Sequence, residues 1–158
     1  MIRGQVFNGT LNRPASSGVE VRLIAIDGRN IRSLGVTKTD ASGRFSFPGV
    51  KAPSAGKGHL LTVTQYKGAP YMALAPTDGK EGRLLVFELT RDPKGIRVES
   101  HQVLVRFEED RLVFRETLRL VNSGKATYRS GNGETLAFTL PPGAELLQPP
   151  AGLNPKEV

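Results

Sequence analysis

Two histidines, His59 and His101, are the side chains best suited to proton transfer or metal binding near neutral pH. Neither has a recognisable metal-ligating partner at a suitable spacing, and the chain contains no cysteine. Ser100 stands next to His101, but consecutive residues of a strand point to opposite faces, so the two cannot pair as nucleophile and base. We therefore expect exposed or strand-edge imidazoles, and neither a catalytic centre nor a metal site.

Two other stretches contain residues used in catalysis or phosphate binding, and both fit better as hairpin turns. Glu108–Asp110 offers adjacent carboxylates, but nothing apolar surrounds it to raise a carboxyl pKa for acid catalysis. Ser130–Glu134 is glycine-rich, but it lacks the Lys-Ser/Thr ending and the following helix of a phosphate-binding loop. The sequence therefore predicts that the chain is not an enzyme and that it binds no cofactor.

Tyrosines around a bend raise the alternative of carbohydrate binding. Tyr66 and Tyr71 flank the bend in YKGAPY, and an exposed aromatic ring there could contact a sugar. The chain has no tryptophan, however, and packing of both rings over a sheet edge is the favoured interpretation. Tyr66 and Tyr71 are therefore kept only as weak ligand-contact candidates.

The net charge of +7 is unevenly distributed along the chain. Residues 1–91 carry 13 Lys and Arg against 6 Asp and Glu, whereas residues 92–158 carry 9 of each. The basic residues are scattered, without the alternation of basic and aromatic residues that suits base stacking, which disfavours a nucleic-acid partner. A basic face for an acidic protein, an anionic lipid or an acidic glycan stays open beside a merely solvated surface.

The elements expected to position these residues are strands. Apolar and polar residues alternate in Val19–Asp27 and in Asp110–Asn122, which is the pattern of half-buried antiparallel strands. The chain has 18 Gly and 11 Pro and sustains no helical period, so the sequence predicts an all-β fold. No apolar run approaches the roughly 20 residues that cross a bilayer.

The stretch KTDASGRFSF is predicted to be a tight turn followed by a strand. Asp40 can accept hydrogen bonds from the backbone of Ser42 or Gly43, and Gly43 suits a left-handed backbone position. Phe45 and Phe47 then fall on one face of the outgoing strand, where their burial holds the register. The alternative, cation binding by Asp40, lacks a second carboxylate at a suitable spacing.

This turn is part of a longer pattern formed by Ile2, Gly4, Val6, Pro14, Gly18, Val19, Val21, Thr39, Asp40, Gly43, Phe45, Phe47, Tyr66, Gly68 and Tyr71. The pattern, within residues 1–91, resembles the carboxypeptidase regulatory-like domain family. The resemblance implies a transthyretin-like Greek-key β-sandwich. It also implies an accessory role, since related domains occur in secreted enzymes, receptors and envelope proteins and are rarely catalytic.

We expect three units, separated near Arg91–Gly95, where Asp-Pro and Gly interrupt the strand pattern. Residues 1–91 form the regulatory-like sandwich, residues 92–148 a second, smaller antiparallel β unit of no recognised family, and residues 149–158 a Pro-rich tail or linker.

The expected function is that of a non-catalytic extracytoplasmic module in protein interaction or envelope scaffolding. Its partner is expected to be another protein or an envelope component, contacted for example through an exposed strand edge. A carbohydrate-binding module and an accessory domain of an uncharacterised enzyme are the alternatives. If a leader preceded Met1, we expect the chain to be periplasmic or at the cell surface; otherwise we expect it to be cytoplasmic.

Overall fold

The structure is a computed structural model that describes residues 1–50, 58–131 and 142–144. Within these ranges the chain forms strands and one short 3₁₀ turn at Pro93–Gly95, without an α-helix, so the all-β prediction is confirmed. No helix of the described residues has the length and apolar character needed to span a membrane. The predicted tail, 149–158, lies outside the described residues.

In chain order the strands are β1 (Ile2–Asn8), β2 (Arg13–Pro14), β3 (Glu20–Asp27), β4 (Asn30–Lys38), β5 (Arg44–Phe47), β6 (His59–Tyr66), β7 (Ala69–Leu74), β8 (Glu81–Val86), β9 (Leu89–Thr90), β10 (Ile96–Glu108), β11 (Arg111–Asn122) and β12 (Thr127–Tyr128).

The first four-stranded sheet is built around β1. Strands β5 and β2 pair antiparallel with successive parts of β1, and β8 runs parallel to it. Phe45 lies directly opposite Gly4, and a Cβ added to Gly4 would approach the Phe45 ring to 2.6 Å. The glycine therefore makes room for the aromatic ring that crosses it.

The second sheet is antiparallel, with strand order β4-β3-β6-β7. Strand β3 is an inner strand of this sheet, and its residues alternate: Val21 and Leu23 are fully buried, whereas Glu20 and Arg22 are exposed. This alternation gives the strand one face for the core and one for solvent.

Buried side chains of both sheets form one hydrophobic core. Each sheet contributes alternate residues of its strands, as expected for pleated strands with one covered face. Burying one Val, Leu, Ile or Phe side chain contributes about 1.5–3 kcal/mol to the stability of the fold. The cluster consists of Ile2, Val6, Ala15, Val21, Leu23, Phe45, Phe47, Leu60, Ala75, Leu84 and Val86.

The turn at Asp40 fixes the entry into β5. The Asp40 carboxylate accepts hydrogen bonds from the backbone N–H groups of Ser42 and Arg44, both at 2.8 Å. Gly43 has φ +71°, and its carbonyl accepts from the N–H of Val6 at 2.8 Å. The turn is thereby tied to the first strand of the sheet that it feeds.

Strands β10 and β11 form a long antiparallel hairpin. They pair from Ile96–Asn122 at the base to Glu108–Arg111 at the tip, and Glu109 and Asp110 make the turn. No residue of either strand is buried. The prediction of antiparallel strands is confirmed here, but the prediction that they are half-buried is wrong, because no described element covers the apolar side of the hairpin.

Candidate functional site

The ligand-contact candidates Tyr66 and Tyr71 are half-buried and pack against the hydrophobic core. The Tyr71 hydroxyl donates to the carbonyl oxygen of Phe87 at 3.0 Å and lies 2.7 Å from Thr127 Oγ1. The Tyr66 hydroxyl accepts from Asn8 Nδ2 at 3.2 Å. Both hydroxyl groups are thus engaged by the chain itself, which leaves them poorly placed to bind a sugar.

Asn8 is the centre of a buried polar cluster and is only 1% exposed. Besides Tyr66, its Nδ2 donates to Glu88 Oε1 at 2.8 Å, and its Oδ1 accepts from the N–H groups of Thr10 and Leu11, both at 3.0 Å. In the sequence, Asn8 precedes Gly9, and an asparagine before a glycine is typical of a turn. A turn asparagine and a buried one look alike in sequence, because the residues that surround it come from distant segments.

Glu88 is held in its charged form at the edge of this cluster. Its hydrogen bond with the Lys67 ammonium is the main reason that the pKa of Glu88 lies below its ordinary value, with further lowering by Asn8 and Tyr66, while desolvation opposes the shift. The same bond raises the pKa of Lys67. The pair links the bend after β6 to the loop after β8.

The segment that follows the hairpin is fastened to the first sheet's loops. The N–H of Thr127 donates to the Glu88 carbonyl at 2.8 Å, and the N–H of Arg129 donates to the Thr90 carbonyl at 2.9 Å. Thr10 Oγ1 donates to the Lys125 carbonyl. These three bonds attach the segment after β11 to the loop after β1, to the loop after β8 and to β9.

A shallow recess of about 190 Å³ lies at this base, between the 3₁₀ turn and the end of β11. Its polar lining includes Asp92, Lys94, Asn122 and Lys125. Small-molecule sites usually enclose about 300–1,000 Å³. The recess is too small and too open to hold a substrate away from water.

The residues with catalytic potential are not brought together. His59 lies at the exposed start of β6. His101 Nε2 lies 3.1 Å from Glu116 Oε2 across the hairpin, and both side chains are about half exposed, at 48% and 58%. Glu108–Asp110 is exposed at the hairpin tip. No group of three metal-ligating side chains occurs in the part of the chain that the structure describes.

One side of the hairpin is almost entirely apolar, and we call it the apolar hairpin face. Residues that pair directly across antiparallel strands share a face. Phe107 is 73% exposed and its partner Leu112 is 56% exposed, while the next pair brings Val105 beside Phe114, which is 58% exposed. The face consists of Val98, His101, Val103, Val105, Phe107, Leu112, Phe114, Glu116, Leu118 and Leu120.

A β-bulge keeps this face continuous toward the base. The pairing shifts between Val98 and Ser100, which leaves Glu99 without an opposite residue. Val98 consequently pairs with Leu120 on the apolar hairpin face, although strict alternation would place it on the other side. Glu99 instead forms an ion pair with Arg119 at 2.6 Å.

The opposite side, the arginine face, is mainly polar. It presents arginines that pair with Val121, Val113, Glu108, Leu104 and Ser100 across the hairpin. The hairpin is therefore amphipathic, and only one of its sides needs to be removed from water. These arginines are Arg97, Arg106, Arg111, Arg115 and Arg119.

The sequence has no match among models of known protein families, and no curated protein matches it. The geometry therefore carries the functional argument. It defines an all-β protein in which, among the residues that the structure describes, one core is closed and no element covers one amphipathic hairpin.

Proposed function

We propose that this chain is a non-catalytic interaction module whose binding surface is the apolar hairpin face. The observation that carries the proposal is the exposure of Phe107, Leu112 and Phe114 in one row. With the strand rise and strand spacing, the face from Val98 to Phe107 is about 30 Å long and about 10 Å wide, on the order of 300 Å². Apolar patches of about 300–600 Å² on soluble proteins often serve in recognition.

The low stability of an isolated hairpin also favours the binding of a partner. A two-stranded hairpin is marginally stable alone in water, because it buries little apolar surface. A partner that covers the face stabilises the hairpin and removes the exposed row from solvent at the same time.

The proposed partner is a protein, not a lipid bilayer. Inserting the tip into a membrane would bring Glu108, Glu109 and Asp110 to the anionic headgroups, where like charges repel. It would also bring into hydrocarbon the outer edges of β10 and β11, which have no strand partner within the described ranges. A protein surface can satisfy both the charges and the edges.

The proposal includes a transthyretin-like Greek-key sandwich of the carboxypeptidase regulatory-like type for residues 1–91, and a scaffolding role outside the cytoplasm. Two four-stranded sheets with a common core and the Asp40 turn support the first part. The family resemblance supports the second. Carbohydrate binding gains no support from Tyr66 and Tyr71, whose hydroxyl groups are engaged.

Site-specific photocrosslinking tests this function. A photoreactive phenylalanine replaces Phe114 on the apolar hairpin face, and in a matched control it replaces the neighbouring Arg115 on the arginine face. In cells of the native source, we expect a discrete crosslinked protein product from position 114 and much less from position 115. Equal crosslinking from both positions, or none from position 114, would contradict the proposal.

A further inference from the structure

The hairpin carries opposite charges at its two ends. The tip, Glu108–Arg111, holds three carboxylates and one arginine. The base, formed by 92–99 and 119–125, holds four cations and two carboxylates. The side chain of Lys94 is 90% exposed, and Lys125 is also exposed, so the basic end is accessible. The hairpin is thus acidic at one end and basic at the other.

We propose that the apolar hairpin face docks on the same face of a second copy of this chain, with the two hairpins antiparallel. This inference rests on the interaction function proposed above and names its partner. The antiparallel arrangement places the acidic tip of each copy over the basic base of the other. A parallel arrangement would instead bring tip to tip and base to base, with like charges opposed.

The two-fold axis of this dimer passes through the polar middle of the face. The pair Val103–Glu116 lies midway between the ends of the face, with two pairs of the face on either side of it. A two-fold axis at this pair makes each residue on it face its own counterpart, so Glu116 of one copy faces Glu116 of the other, and each carboxylate keeps its 3.1 Å contact with His101 of its own hairpin. The two opposed carboxylates reduce the affinity, in keeping with a reversible dimer.

The area is consistent with a reversible dimer. Two faces of about 300 Å² each cover on the order of 600 Å² by strand dimensions, below the roughly 1,200–2,000 Å² of stable complexes. The flanking charges add to this area and select the orientation. We therefore expect dimerisation at micromolar concentration and not at nanomolar concentration.

The test uses the full chain and measures its mass by sedimentation from low to high micromolar concentration. Phe114→Glu should abolish the dimer, whereas Arg115→Glu on the arginine face should leave it. Reversing the tip (Glu109→Lys with Asp110→Lys) or the base (Lys94→Glu with Lys125→Glu) should weaken the dimer roughly three- to tenfold. The combined tip and base variant should regain the lost affinity, and none of these charge changes removes an apolar residue of the hairpin.

A distance measurement fixes the orientation. Because the chain has no cysteine, a spin label on Asp110→Cys is unique. Label-to-label separation should be about 40 Å in the antiparallel dimer and about 10 Å in a parallel one, from strand rise and sheet spacing.

A short distance overturns the inference, and so does a chain that stays monomeric at all concentrations. A monomer that still crosslinks from position 114 to another protein leaves the proposed interaction function standing. Intramolecular crosslinking from position 114 to residues 132–158 would remove both proposals.

Discussion

Asn8 Nδ2 donates a hydrogen bond to Glu88 Oε1 across 2.8 Å, and this bond joins the end of β1 to the loop that follows β8. Asn8 is buried and Glu88 reaches solvent on its other side through Lys67. The pair thus connects the core to the loop from which the hairpin segment departs. An unsatisfied polar group at this depth would be costly, which makes the bond a sensitive point of the fold.

Asn8→Ala should lower the free energy of unfolding by about 2–3 kcal/mol, because it leaves the N–H groups of Thr10 and Leu11 without their acceptor. Urea denaturation measures the change. Asn30→Ala, at the exposed start of β4, is the matched control and should stay within about 0.5 kcal/mol of the parent. Equal effects of the two substitutions would rule out the structural role assigned to Asn8.

Glu88→Gln should lower stability at neutral pH and lose this effect in acid. The pKa of Glu88 is depressed in the folded chain, so its contribution is present above its ordinary value of 4.5 and is lost as the pH falls through the lower folded value. The gap between the denaturation midpoints of parent and variant should therefore be largest near pH 7 and should close below pH 4.5. Glu109→Gln at the exposed tip is the control; a gap that stays constant with pH for Glu88→Gln would contradict the assignment.

Gly43→Ala should destabilise the chain more than Gly49→Ala. Both glycines have positive φ, +71° and +76°, so both substitutions carry the left-handed backbone cost of about 1–2 kcal/mol. Only at Gly43 would the new Cβ meet backbone atoms, at 2.8 Å from the carbonyl oxygen of Val6, whereas nothing lies within 4 Å at Gly49. Thermal denaturation should show an additional loss of about 1 kcal/mol or more at position 43, and equal losses would mean that the turn can move away from β1.

Tyr71→Phe should loosen the attachment of the segment after the hairpin. The variant keeps the ring but loses the hydroxyl contacts with Phe87 and Thr127, which should cost about 1 kcal/mol. Amide hydrogen exchange at Thr127 should accelerate several-fold. Tyr128→Phe is the matched control, since its hydroxyl has no hydrogen-bond partner within the described residues, and unchanged exchange in Tyr71→Phe would show that the hydroxyl does not hold the segment.

Local features of the fold could be predicted because their causes are local. Asp40, Gly43 and the two phenylalanines of β5 lie within a few residues of one another, so turn chemistry and alternation were enough to place them. The structure changes one detail, since the Asp40 carboxylate accepts from Arg44 in addition to Ser42.

The candidate site could not be predicted in the same way. Alternation in Asp110–Asn122 identifies a strand with an apolar side, but it does not say whether anything covers that side. The burial of Asn8 likewise depends on Tyr66 and Glu88, which are distant in sequence. The bulge at Glu99 was missed because an unpaired residue in one strand is defined only by its partner strand.

The parallel pairing of β1 with β8 has a consequence for folding during synthesis of the chain. Synthesis proceeds from the amino terminus, so Ile2 and Val6 emerge long before Leu84 and Val86, which enclose them in the finished core. Until β8 leaves the ribosome, the nascent chain must keep its first strand from premature association. The core between the two sheets therefore cannot close before β8 has been synthesised.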